Sequence, residues 1–251
     1  MSVIIGVDIG GTSIKVAPVE TSTGALVGEP HHAPTPVPAT PDAVVAIVAK
    51  LVAASGATEV IGVGFPGVVR HGVVGTAVNL DSSWVGLDAA ATISAAVGAR
   101  RVTVVNDADA AGLAEVDIGS AVGKRGVVVV VTLGTGIGTA VFHDGVLLPN
   151  TELGHLLLDG VDAETLASGR ARNEHGVTWE RWTGHLNQFL GDIEALLWPD
   201  LFVIGGGISA DFSIFGANLD LATPVVAARL GNEAGIVGAA IGAARVTRDQ
   251  P

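Results

Sequence analysis

Val3-Ile-Ile-Gly-Val-Asp-Ile-Gly-Gly-Thr-Ser-Ile-Lys-Val16 and Val127-Val-Val-Val-Val-Thr-Leu-Gly-Thr-Gly-Ile-Gly-Thr-Ala-Val-Phe142 are two versions of one pattern, half a chain apart in 251 residues. Each runs an apolar, β-branched strand into a glycine turn carrying hydroxyls, and out into a second strand. A turn and a third strand follow each copy, at Ser22-Thr-Gly24 and at Asp144-Gly145. Asp-Gly favours a two-residue hairpin because both positions tolerate positive φ. The repeat divides the chain in two, and paired loops of bare amides suggest a clamp for phosphates.

Around this repeat, strands are expected at 3–8, 14–19, about 25–32, 60–65 and 101–105, then at 127–133, 137–142, 146–149 and 201–204. Pro30, Pro34, Pro36, Pro38 and Pro41 punctuate an ordered loop that leads into a helix. Thr40-Pro41-Asp42 has the N-cap, the first-turn proline and the early acid of a helix start. A long helix is expected over about 178–197, with Trp179, Trp182, Leu186, Phe189, Ile193 and Leu197 as its core stripe, stopped by Pro199. A small-residue helix over about 233–246 closes the chain. The alternation predicts an α/β protein of two lobes, a small N-terminal lobe over 1–107 and a larger one over 108–251. The last helix is free to pack back toward the N-terminal lobe.

Hydrophobic residues are 49% of the chain and charged residues 15%, a globular composition. No run approaches the roughly 18 apolar residues of a membrane helix, and the N-terminus enters a strand at once. The formal charge of −12 argues against a nucleic-acid partner. The chain has no cysteine, which excludes disulfides and thiolate metal sites and agrees with a cytoplasmic setting.

The chemistry is concentrated at strand ends. Gly10, Gly11, Thr12 and Ser13 offer amides and hydroxyls to a phosphate, with Lys15 adding a charge; Gly134, Thr135, Gly136 and Gly138 offer the same without the lysine. Neither turn matches the Walker pattern or the dinucleotide fingerprint. Asp8 ends the first strand, where it would either hold magnesium through water or cap the turn. Asn106-Asp107 ends another strand just before a small-residue helix. There a carboxylate would accept a hydroxyl proton while the amide fixes that hydroxyl, or the pair would cap the helix. Glu152, His155 and Glu164 supply carboxylates and an imidazole of the kind that holds sugar hydroxyls.

Together these motifs resemble the ROK family of sugar kinases, in the actin-like ATPase and hexokinase superfamily. Asp8-Ile-Gly-Gly-Thr-Ser-Ile-Lys15 and Leu133-Gly-Thr-Gly-Ile-Gly138 resemble its two phosphate motifs, and Asn106-Asp107-Ala-Asp-Ala its catalytic segment. Glu152-Leu-Gly-His155 resembles its sugar motif and Phe202-Val-Ile-Gly-Gly-Gly207 its nucleotide-side motif, which includes Gly206 and Gly207. The resemblance implies a two-lobed fold with a cleft, Asp107 as general base, and Gly67 of Gly64-Phe-Pro-Gly67 and Asn79 in the sugar pocket. It also implies Mg²⁺ near Asp8, ATP as donor and a homodimer. Many members bind zinc through a cysteine cluster beside the histidine; with no cysteine that site cannot form here, and His155 reads as a sugar ligand.

The compact, zinc-less form resembles the family's actinobacterial polyphosphate-using glucokinases, in which inorganic polyphosphate replaces ATP and some members accept mannose as well as glucose. Lys15, Lys124, Arg125, Arg170 and Arg172 would then anchor polyphosphate or serve as solvated surface charges. Two alternatives remain: a strictly ATP-dependent hexokinase, and a non-catalytic sugar sensor or regulator. The second is disfavoured by the acidic charge and by a phosphate motif within ten residues of Met1, which leaves no N-terminal helix-turn-helix.

Overall fold

The computed structural model describes residues 2–56, 59–174 and 176–249. It separates into two compact units, one made of the chain up to Ala114 plus everything from Glu233, the other of Glu115–Asn232. The boundary expected at residue 107 differs from this division: the chain changes unit inside the helix Asp107–Asp117, and the C-terminal helix belongs with the first unit.

In the first unit β1 (Val3–Ile9), β2 (Ser13–Glu20) and β3 (His31–Pro34) form an antiparallel meander. Then come α1 (Pro41–Ser55), β4 (Val60–Phe65), a small hairpin of β5 (Val69–Arg70) and β6 (Val73–Val74), α2 (Ala89–Val97), β7 (Arg101–Asn106) and α3 (Asp107–Asp117). The sheet order is β3-β2-β1-β4-β7, with β4 and β7 parallel to β1. Thr40 caps α1 by accepting the Ala43 amide, as its sequence predicts.

The third strand differs from expectation. Residues 25–30 make only an isolated bridge, Val19 with Leu26, because Gly28 turns the chain at φ 91° and Pro30 has no N–H for a ladder. Pairing resumes at His31, so β3 lies beside Ser13–Val16, next to the first glycine turn.

The second unit repeats the pattern. β8 (Val127–Leu133), β9 (Ile137–His143) and β10 (Val146–Leu148) form the meander. Asp144 and Gly145 take φ of 48° and 78°, the double positive turn that Asp-Gly predicts. β11 (Leu157–Leu158) and β12 (Val161–Asp162) make a second small hairpin, followed by α4 (Ala163–Ala167), α5 (Gly169–Glu174) and α6 (Trp179–Leu197). β13 (Leu201–Gly205), α7 (Phe212–Phe215) and β14 (Val225–Ala227) complete it, in sheet order β10-β9-β8-β13-β14. Strand for strand this matches the first unit, the duplicated α/β architecture of the actin-like and hexokinase fold.

α6 buries Trp182, Leu186, Phe189, Leu190 and Ile193, close to the expected stripe, but Leu197 is exposed. The helix ends there because Pro199 disfavours the helical region for the residue before it, and Trp198 takes the left-handed conformation at φ 48°.

The last helix, α8 (Ala234–Asp249), returns to the first unit and crosses β1 and β4. A Cβ on Gly6 would strike the Ile236 carbonyl, one on Gly62 the Ala239 carbonyl, and one on Gly238 the Ala110 carbonyl. Backbone therefore packs on backbone, and α8 can approach the sheet only where these side chains are missing. Gly62→Ala should cost about 1–3 kcal/mol, the usual scale of overpacking, and lower the Tm by several degrees in a thermal melt. Gly184→Ala, on the exposed side of α6 with open space around it, should leave the Tm unchanged or raise it slightly.

Candidate active site

In the first unit the turn after β1 closes on itself, with the Gly10 amide donating to the Ser13 carbonyl at 2.9 Å. Thr35, just past β3, secures it: its hydroxyl donates to the Gly10 carbonyl at 2.6 Å and its amide to the Thr12 carbonyl at 3.0 Å. Gly11 and Thr12 remain exposed at the tip. Asn79 lies against this turn, for a Cβ on Gly11 would sit 3.1 Å from the Asn79 Cβ.

Asp8 and Lys15 face each other across the β1–β2 ladder, with Nζ 3.6 Å from Oδ2. The first turn of α8 presses on the same carboxylate, as a Cβ on Gly235 would lie 2.9 Å from the Asp8 Cγ. Burial raises the Asp8 carboxyl above its ordinary value, and the Lys15 charge only partly opposes this.

Asn106 ends β7 with its side chain buried. Its Oδ1 accepts the amides of Ala108 at 2.8 Å and Asp109 at 3.1 Å, so it caps α3, and its Nδ2 donates to the Gly67 carbonyl at 3.2 Å. The capping alternative therefore describes Asn106. Asp107, half-buried, accepts the Ala108 amide at 2.8 Å through Oδ1. Gly67 is required by a close approach, since a Cβ there would strike the Thr76 carbonyl.

In the second unit the Gly134 amide donates to the Gly136 carbonyl at 3.0 Å, and the Gly134 carbonyl accepts the Arg170 amide at 2.9 Å. Thr135 is exposed at the tip. Gly206, at φ 77°, lies against Leu133, where a Cβ would come within 2.6 Å of the Leu133 nitrogen. Gly206 and the turn that follows Leu133 are thus neighbours, with Gly207 exposed.

Ile137 is where Glu164 and the segment of Gly154 meet this turn. Its amide donates to Glu164 Oε2 at 3.1 Å, and its carbonyl sits where a Cβ on Gly154 would be. Glu164 Oε2 also occupies the place of a Cβ on Gly136. Buried Thr139 then pins the segment around Glu152, donating to the Thr151 carbonyl at 2.8 Å and accepting the Leu153 amide at 3.1 Å.

His155 Nδ1 lies 2.9 Å from Asp162 Oδ2, and its Nε2 lies 4.0 Å from Glu152 Oε2. The Asp162 bond raises the imidazole above its ordinary value, against partial desolvation and with help from Glu164 and Glu152. Burial raises Glu152, with His155 opposing and Glu164 reinforcing.

Sequence reasoning overlooked Thr35, Thr139 and Asp162. Asp162 carried one signal, the N-cap position of Asp-Ala-Glu before α4, where Oδ1 accepts the Glu164 amide at 2.8 Å. Of the cations, Arg170 is exposed beside the second turn, while Arg172 stacks over Trp179 at 4.2 Å from the ring centre. Lys124 and Arg125 are exposed before the first residue of β8, a strand of 7 residues, whereas the turn follows its last. That separates them from the turn by ~20 Å along the strand.

A profile of the ROK family matches residues 4–176. The chain is 48% identical to a polyphosphate glucokinase of Mycobacterium tuberculosis over 236 residues, covering 94% of this chain and 89% of that one. It is 30% identical to a glucokinase of Streptomyces coelicolor, covering 96% and 97%. Among solved structures, the inorganic polyphosphate/ATP-glucomannokinase of Arthrobacter sp. strain KM superposes with a TM-score of 0.94 at 48% identity, covering 98% of this chain and 100% of that one. The protein is a member of the ROK family. No helix among the described residues is long and apolar enough to cross a membrane.

The buried carboxylate gives a stability test. The folded state holds the Asp8 proton more tightly than the unfolded chain, so the penalty for ionising Asp8 is absent well below its ordinary value of 3.8 and grows as pH rises through the raised value. Asp8→Asn should therefore melt at the same temperature as the parent at low pH and above it near neutrality. Differential scanning calorimetry from about pH 3.5 to 7 reads the widening gap.

Proposed function

We propose that this protein is a hexose kinase that transfers a phosphoryl group from inorganic polyphosphate or ATP to the 6-hydroxyl of glucose, with mannose as a second acceptor. The observation that carries the reading is the 0.94 superposition at 48% identity on a polyphosphate/ATP-glucomannokinase over 98% of the chain. The site residues agree with it. Gly11 and Thr12 in one turn and Thr135 in the other stand exposed at the tips, where amides and hydroxyls can meet a chain of phosphates, and Gly206 and Gly207 stand beside the second turn for the nucleotide.

In this reading Asp107 accepts the 6-hydroxyl proton as that oxygen attacks phosphorus, and the Ala108 amide and the capped start of α3 hold its carboxylate in place. Gly67, Asn79, Glu152, His155 and Glu164 are assigned to the sugar, and Asn106 supports Asp107 as the cap of α3. Lys15 and the two turns orient the donor phosphates for in-line transfer.

Asp8 is the residue assigned to magnesium. It fits an ion that keeps most of its waters: it is one carboxylate already shared with Lys15, and no group of three or more acidic or imidazole side chains with metal-ligand placement occurs among the described residues. The chemistry magnesium supplies there is neutralisation of charge on the donor phosphates. The proposed form is a cytoplasmic homodimer, and this part rests on the family resemblance.

Asp107→Asn should keep the melting curve and lower kcat by at least ~10²-fold with either donor; near-normal turnover would end the assignment. Reversing Lys124 and Arg125 to Glu should raise the KM for long-chain polyphosphate and leave that for ATP unchanged, because those residues lie far along β8 from the turn. Equal effects on both donors would remove them from a polyphosphate path. If glucose is phosphorylated from ATP alone, the strictly ATP-dependent alternative stands; if it is phosphorylated from neither donor, the sensor alternative does.

A further inference from the structure

We propose that Asp162 is a positioning residue that makes His155 a hydrogen-bond donor toward one sugar hydroxyl shared with Glu152. The inference deepens the proposed function and rests on its assignment of His155 and Glu152 to the sugar. Its geometry is independent of that assignment. Asp162 Oδ2 is 2.9 Å from His155 Nδ1, and a carboxylate can only accept, so Nδ1 carries the hydrogen. The other Asp162 oxygen accepts the Glu164 amide at the start of α4, which fixes the carboxylate and hence the ring.

On the opposite edge of the imidazole Nε2 is 4.0 Å from Glu152 Oε2, too far for a direct hydrogen bond between the two. Two atoms at that spacing can each reach a single hydroxyl oxygen ~2.8 Å from both, at nearly a right angle. One hydroxyl would then accept from Nε2–H and donate to Oε2. Both side chains remain about two-fifths exposed, so a ligand can enter.

The arrangement needs a hydrogen on Nε2. Because Asp162 reserves Nδ1 for a hydrogen, only the imidazolium has one on both nitrogens. Three carboxylates face the ring, Asp162, Glu152 and Glu164, and all favour the charged form. When the ring loses a proton, Asp162 keeps the one on Nδ1 and leaves Nε2 bare. Nε2 and Glu152 would then both be acceptors competing for a single hydroxyl hydrogen. Glucose binding should accordingly weaken as pH rises through the His155 titration.

Asp162→Asn tests this without removing the cap of α4, since the Asn carbonyl can take the Glu164 amide. The Asn NH₂ would then face Nδ1 as a donor, moving the neutral ring's hydrogen to Nε2. The expected result has two parts. Long-range ¹H–¹⁵N spectra of the full-length protein, with the His155 signal identified by its loss in His155→Asn, should show the neutral ring protonated at Nδ1 in the parent and at Nε2 in Asp162→Asn, which also titrates at lower pH. The glucose KM of the parent should rise roughly tenfold across the His155 titration, the scale of one charge-assisted hydrogen bond, and stay nearly flat in Asp162→Asn.

An unchanged tautomer and titration in Asp162→Asn would overturn the positioning role, whatever the kinetics. If the tautomer inverts but glucose KM is unmoved in both Asp162→Asn and His155→Asn, the assignment of His155 to the sugar fails instead, and with it the donor role. If His155→Asn raises the glucose KM but Asp162→Asn keeps the parent's pH profile, the sugar assignment stands and the inference is rejected.

Discussion

Backbone lying directly on backbone is the constraint on which the rest of this protein depends. α8 reaches its sheet through Gly6 and Gly62, and α3 accepts α8 at Gly238. The same device builds the site. Gly67 meets the Thr76 carbonyl and Gly154 the Ile137 carbonyl. Interiors are close-packed, so a single Cβ at such a contact cannot be absorbed by sliding a flexible side chain aside. Glycine is therefore the only residue that fits at these contacts.

Those contacts place charge where water would not. Asp8 is held between Lys15 and the first turn of α8, and burial rather than pairing governs its proton. Glu152 is likewise raised by burial, with His155 and Glu164 acting in opposite directions. Carboxylates kept partly desolvated are stabilising only when a ligand or cation completes them. His155 is the converse, a ring whose charge is favoured by the acids around it.

Both sheets end in a glycine turn. In each unit the first two strands deliver the turn, and a neighbouring element pins it: Thr35 after β3 in one, Glu164 and the Arg170 amide in the other. The pinning groups are not equivalent, although the sheets are. In the second unit the pin is also a residue assigned to the sugar, so a change at Glu164 is felt at the Gly134–Gly136 turn through one hydrogen bond to Ile137.

Local patterns carried much of this. The duplicated strand-turn-strand, the Asp-Gly hairpin, the Thr40 cap and the α6 stripe are all short-range features whose physics is contained in neighbouring residues, and they were legible before any coordinates. The sequence also singled out Asp8 and Asp107 as candidates at strand ends, and Glu152 and His155 as candidates near the second glycine turn. The third strand was misplaced for a local reason that composition hid, the Gly28 turn and the missing Pro30 amide. What the sequence by itself determined was therefore the α/β class, its duplication and the identity of the polar residues. Only the tertiary structure decided that α8 belongs with the first unit, that Asn106 caps α3, that Thr35 and Thr139 hold the loops, and that Asp162 owns the Nδ1 hydrogen of His155. Apart from the Asn106 cap, which the sequence offered as one of two readings, each of these depends on atoms approaching through space across stretches of chain, and no periodicity along the chain encodes such an approach.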